Sequence, residues 1–114
     1  VSDVIQLFPG FPVGAPVLTV VGRRVYAGDA PEGAVLYTIR NRLLFDGETV
    51  AGFPLANVSG GAIRSGATLT GRLLGTIKDG YVYGVSAASG WPLVSASVPD
   101  PAALMAGCYH LVVT

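Results

Sequence analysis

Charge is scarce in this chain. Of its 114 residues only 12% are Asp, Glu, Lys or Arg, against 51% hydrophobic, and the mean hydropathy is +0.57. A domain of this mass exposes on the order of 5,800 Å², which so few charges cover thinly. Monomers rarely leave apolar patches beyond a few hundred Å² in water, so part of the surface is expected to be covered by other chains. The formal net charge is zero, which removes the basic field that binding to nucleic acid or an anionic membrane requires. Neither is expected as a partner.

Lysine is almost absent. Lys78 stands beside six arginines, Arg23, Arg24, Arg40, Arg42, Arg64 and Arg72. Arginine is enriched and lysine depleted at protein interfaces, because the guanidinium is weakly hydrated and binds bidentately; a GC-rich coding sequence would leave the same bias. Cys108 is the single cysteine, which excludes an intrachain disulfide framework and a Cys-based zinc site. It begins the apolar run 108–113, where it is expected to pack as a small buried hydrophobe. No stretch of 18 residues escapes Gly, Pro or charge, so no transmembrane helix is expected. Nor does a basic n-region precede an apolar run at Val1, and no signal peptide is recognisable.

What the chain does have is punctuation. Sixteen Gly and eight Pro separate short β-branched and aromatic runs, the rhythm of an all-β domain. The expectation is a compact antiparallel β-sandwich or small barrel forming one domain over residues 1–114. Residues 1–16 read as a Pro-rich N-terminal arm and 17–114 as the β core. Val4 to Phe8 make a first extended run; Phe8 to Pro16 then carries three prolines, which forbid helix and weaken any central ladder.

Val17–Val21 and Arg24–Ala27 read as strands joined near Gly22-Arg23, and Val35–Arg40 alternates with Val35, Tyr37 and Ile39 on one face. Asn41-Arg42 is a turn candidate before Leu43–Phe45, and Asp46-Gly47 is a hairpin signal before an expected strand at Glu48–Ala51. The clearest hairpin is Thr68–Lys78 and Tyr81–Ser86 around Asp79-Gly80, a pair suited to a type I′ turn. Strict alternation there places Leu74 with Thr76 and Lys78, and Leu73 with Ile77. One short helix is expected near the C-terminus. Asp100 caps it, Pro101 fits its first turn, Ala102–Ala106 propagate it and Gly107 stops it. Tyr109–Val113 is then expected to enter a sheet as a final strand. A faint echo links Gly52-Phe-Pro-Leu55 with Gly90-Trp-Pro-Leu93, which suggests two similar hairpins.

Catalytic signals are thin. His110 is the only histidine; Ser95, Ser97 and Asp100 are available around it, but no nucleophile elbow occurs. Asp46 and Glu48 flank Gly47 at an exposed position, a poor support for a carboxylate pair. Arg64 lies between Ser59-Gly-Gly61 and Ser65-Gly66, a loop composition that could hold an anion. Asn57-Val58-Ser59 matches the N-glycosylation pattern. No cofactor or metal is expected. The leading reading is a non-enzymatic structural assembly protein, such as a bacteriophage capsid decoration (cement) protein or a fibre or spike domain placed in the virion. Identical subunits, a trimer by preference, and another structural protein would be its partners, with Phe8, Phe11, Val13, Arg23, Arg24, Arg40 and Arg42 as the interface. The alternative is a carbohydrate- or small-ligand-binding module using Tyr81, Tyr83 and Trp91, and a third reading is a small hydrolase using His110.

Overall fold

The computed structural model describes residues 4–11, 13–29, 32–48, 52–68, 70–84, 92–98 and 100–113. Within them ten strands precede one helix: β1 Val4–Pro9, β2 Leu18–Val21, β3 Arg24–Ala27, β4 Val35–Arg40, β5 Leu43–Asp46, β6 Ala56–Ser59, β7 Ala62–Ser65, β8 Leu73–Lys78, β9 Tyr81–Tyr83, β10 Pro92–Ala96 and α1 Pro101–Val113. Each strand pairs antiparallel with its neighbour in sequence, and β1 pairs with β10 to close the ring. The all-β expectation holds, and of its two forms the chain adopts the barrel. The extended run Val4–Phe8 is part of the wall, held between β10 and β2; residues 10–16 connect it to β2.

Two kinds of connection alternate around the ring. One end of the barrel carries two-residue turns at Gly22-Arg23, Asn41-Arg42, Gly60-Gly61 and Asp79-Gly80. Asp79 and Gly80 have φ of 55° and 82°, the left-handed pair that a type I′ turn needs and that Gly adopts without strain. The other end carries the longer loops. Asp46-Gly47 belongs there, where β5 ends, and does not make the hairpin its composition suggests; Asn41-Arg42 does. The expected strand beyond Gly47 falls largely on residues 49–51, outside those described.

These hairpins repeat every 19 residues. Thr19, Thr38 and Asn57 occupy equivalent places, and each donates a side-chain bond to a glycine carbonyl nine residues on: Gly28 at 2.8 Å, Gly47 at 2.6 Å and Gly66 at 2.9 Å. The same glycines donate their N–H to Val17, Leu36 and Leu55. Gly10 does likewise to Leu93 at 2.9 Å, so β1 serves as the second strand of a fifth hairpin begun by β10. The echo between residues 52–55 and 90–93 is thus two repeats apart. The next copies of the threonine are Thr76 and Ser95, and the Ser95 hydroxyl is buried without a partner among the described residues.

A bulge near the loop end of three hairpins leaves Leu36, Leu74 and Leu93 out of the pairing. A bulge sets two consecutive side chains toward one side, which overturns the alternation expected for residues 68–78. Leu74 is 2% exposed and joins Gly75 in the core, while Thr76 and Lys78 face solvent.

The largest correction concerns the C-terminus. Asp100 caps α1 as expected, its Oδ1 accepting from the Ala102 N–H at 3.0 Å. Gly107 does not stop the helix, which runs on to Val113, so Tyr109–Val113 is helix and not strand. Nor is α1 a mere connector: Ala103 to Cys108 are all buried, packed against strands around the ring. About eight strands enclose a lumen that side chains alone can fill; ten leave room for a helix. A closed ring also has no free edge, so a strand here would bury unpaired backbone groups, whereas a helix pairs its own. That outweighs the weak helix propensity, roughly 0.7 kcal/mol per residue at most, of the β-branched and aromatic residues. Small residues make the fit. A Cβ on Gly75 would lie 2.9 Å from Cys108 Sγ, and one on Gly107 would lie 2.7 Å from Val94 Cγ1.

Candidate functional site

With its lumen occupied by its own helix, the barrel offers its two ends and its outer wall. The interface residues expected from the sequence are divided among them. Arg23 and Arg42 sit in two-residue turns, Arg24 and Arg40 in the strand positions beside them, and all four are exposed. Lys78 and Asp79 share this turn end, as does the capping Asp100. A cavity of about 260 Å³ opens there, lined by Arg42, Val58, Ser59, Gly60, Gly61 and Pro101. The N-terminus of α1 reaches it but is already capped by Asp100.

The loop end has the opposite character. Asp29, Glu32, Asp46 and Glu48 are exposed on its connections. Helix α1, which enters the barrel beside the turns after β10, leaves it here with Leu111, Val112 and Val113 exposed by 38%, 38% and 49%. Phe53 in the β5–β6 loop is 95% exposed and Val13 in the β1–β2 loop 74%. These side chains are the apolar surface that the low charge implied, and Phe53 and the helix tip escaped the reading of the sequence.

Phe8 and Phe11 belong to the outer wall. Phe8 is half-buried opposite Ser95, and Phe11 meets Tyr81 edge-on at 6.0 Å. The connection after β1 therefore folds back over β10. Tyr81 and Tyr83, one face of β9, stack at 6.5 Å with their planes 27° apart. Trp91 lies outside the described residues.

The remaining expected sites do not assemble. His110 sits on α1, its Nδ1 2.9 Å from the Tyr37 hydroxyl, with Tyr37 also edge-on to Tyr109. Ser95 belongs to the wall, and Asp100 begins the helix ten residues earlier, about 15 Å away along its axis. The Cys108 thiol is buried, and desolvation pushes it up to about 12 from 9.0, which makes it inert as a nucleophile. Arg64 donates to the Gly71 carbonyl at 3.3 Å and so helps to hold the β7–β8 loop, away from the Gly60-Gly61 turn. Asn57 is 5% exposed and spends its amide on the Gly66 and Thr68 carbonyls; a glycosyl transferase has no access to it. No cluster of metal-ligating side chains occurs, and no helix long and apolar enough to cross a membrane, among the described residues.

No family model, curated protein or solved structure matches this chain.

Proposed function

We propose that this barrel is a non-enzymatic structural subunit of a larger particle, in the class of bacteriophage capsid decoration proteins or fibre and spike domains. The observation that carries the reading is the filled lumen combined with the apolar loop end. Barrels that bind ligands hold them in the mouth or interior. Here Ala103, Leu104, Met105, Ala106 and Cys108 take that space at 0% exposure, and Phe53 and the tip of α1 face outward instead. Interface formation would bury the apolar surface that the sparse charge leaves in water. Light scattering behind size exclusion, over a dilution series, tests self-association; co-sedimentation with candidate particles tests a heterologous partner. An oligomer or a particle-bound fraction is expected. A monomer that binds no particle would overturn the reading.

One observation favours a second reading. The stacked Tyr81–Tyr83 pair with Phe11 against it forms a small aromatic surface of the kind on which sugar rings stack. Glycan binding that disappears in Tyr83→Ala while the thermal melt is unchanged would favour it; no glycan retention at millimolar concentration would remove it.

A further inference from the structure

We propose that the barrel associates head to tail, the loop end of one copy seating on the turn end of the next. The inference rests on the assembly reading above and supplies its joint. Three features of the two ends complement one another.

The first is charge. Five of the seven basic residues, Arg23, Arg24, Arg40, Arg42 and Lys78, lie at the turn end, opposed there only by Asp79 and Asp100 among the described residues. Four carboxylates, Asp29, Glu32, Asp46 and Glu48, lie at the loop end, with Arg72 and the half-buried Arg64. A zero net charge thus hides a separation along the barrel. Like ends repel, basic on basic or acidic on acidic, and unlike ends attract, which disfavours a two-fold joint between like ends and favours a directional one.

The second is shape. The helix that threads the barrel projects Leu111, Val112 and Val113 at the loop end and begins, at Pro101, on the rim of the 260 Å³ cavity at the turn end. A cavity of about 150 Å³ already accommodates benzene, so this one takes a branched aliphatic side chain. The third is apolar surface on both sides. Phe53 and the helix tip expose roughly 400 Å², about half of the ~800 Å² per partner in a standard interface. Val4 and Val98, 44% and 48% exposed, supply apolar surface at the turn end. The charged loops and turns supply the remainder. The trimer expected from composition implies a closed ring; a joint between opposite ends instead adds copies in line unless its rotation closes.

The test is complementation between two variants, each spoiled at one end. Val112→Glu places a charge on the helix tip, and Ser59→Trp fills the cavity. Sedimentation velocity of the unaltered protein from micromolar to millimolar should show mass rising without a plateau at the dimer. Association should weaken at least tenfold in 1 M salt, where the Debye length is about 3 Å. Each variant alone should remain monomeric, and an equimolar mixture should give a dimer and nothing larger, since each partner contributes one intact end. If either variant loses its circular dichroism spectrum, Val113→Glu and Arg42→Glu replace the pair in the same experiment. A mixture that stays monomeric, or an unaltered protein that stops at a dimer, would overturn the joint. A chain that stays monomeric but binds a particle would overturn the joint and leave the assembly reading standing; a monomer in both assays would remove both.

Discussion

Replacing Gly107 by Ala puts a methyl group into the contact between the helix and the barrel wall. The added Cβ would stand 2.7 Å from Val94 Cγ1, 3.4 Å from Leu7 Cδ1 and 3.7 Å from Leu7 Cβ. Both neighbours are fully buried, and β10, which carries Val94, is paired on both edges, so neither can retreat toward solvent. In an exposed helix the same change stabilises by about 1 kcal/mol. Overpacking a filled core costs about 1–3 kcal/mol, so the balance is a loss of about 1 kcal/mol, or a Tm lowered by about 4–6 °C in a domain near this size. The decisive assay is a double-mutant cycle with Val94→Ala, followed by equilibrium urea unfolding. Val94→Ala alone should cost about 2 kcal/mol. Together the two should recover about 1–3 kcal/mol of the summed losses, because the new methyl occupies the space the valine vacates. Additivity to within about 0.5 kcal/mol, or a stabilised single Gly107→Ala variant, would refute a helix that continues past residue 107 against β10.

Three further outcomes follow from the same packing. The Cys108 thiol should resist alkylation in the folded protein at pH 8 and react at once in denaturant, since burial pushes it up to about 12; rapid labelling of native protein would show that the helix leaves the lumen. Because the folded state holds that proton more tightly than the unfolded one, its contribution to stability is complete below pH 9.0 and is lost as pH rises from there toward 12. The loss reaches about 1.4 kcal/mol per pH unit at most, and Cys108→Ala should flatten that slope in urea titrations. Thr19→Val should cost about 1–2 kcal/mol by leaving the Gly28 carbonyl without its bond, whereas Ser95→Ala, at the equivalent place in the fifth hairpin, should be neutral or stabilising because that hydroxyl is buried unpaired; equal losses in thermal melts would contradict the difference between the repeats.

Local signals were legible where local chemistry decides. The Asp79-Gly80 turn follows from two residues that tolerate positive φ, and the start of α1 from Asp100 and Pro101. Burial of Cys108 was readable from its apolar neighbours. The 19-residue period was present too, in Gly14, Gly33, Gly52, Gly71 and Gly90 and in Thr19, Thr38, Asn57, Thr76 and Ser95. It is carried by small residues with little pattern of their own, and a comparison at fixed offset would have found it. The run from Pro101 to Val113 held another hint, for it contains no acidic or basic residue except His110, as suits a helix surrounded on all sides.

The separation of the expected interface had no such signal. Arg23 and Arg42 lie close in sequence to Asp29 and Asp46, yet stand at the opposite end of the barrel, because each strand carries the chain across its full height. The sequence by itself determined an all-β chain of short strands, tight turns and one capped helix, since each depends on residues a few positions apart. Tertiary structure decided that the ring closes with β1 as its last strand, that bulges turn Leu74 inward, and that Tyr109–Val113 coils instead of pairing. The physical reason is closure: once ten strands leave no free edge and a lumen too wide for side chains, only a helix can satisfy both the backbone and the space.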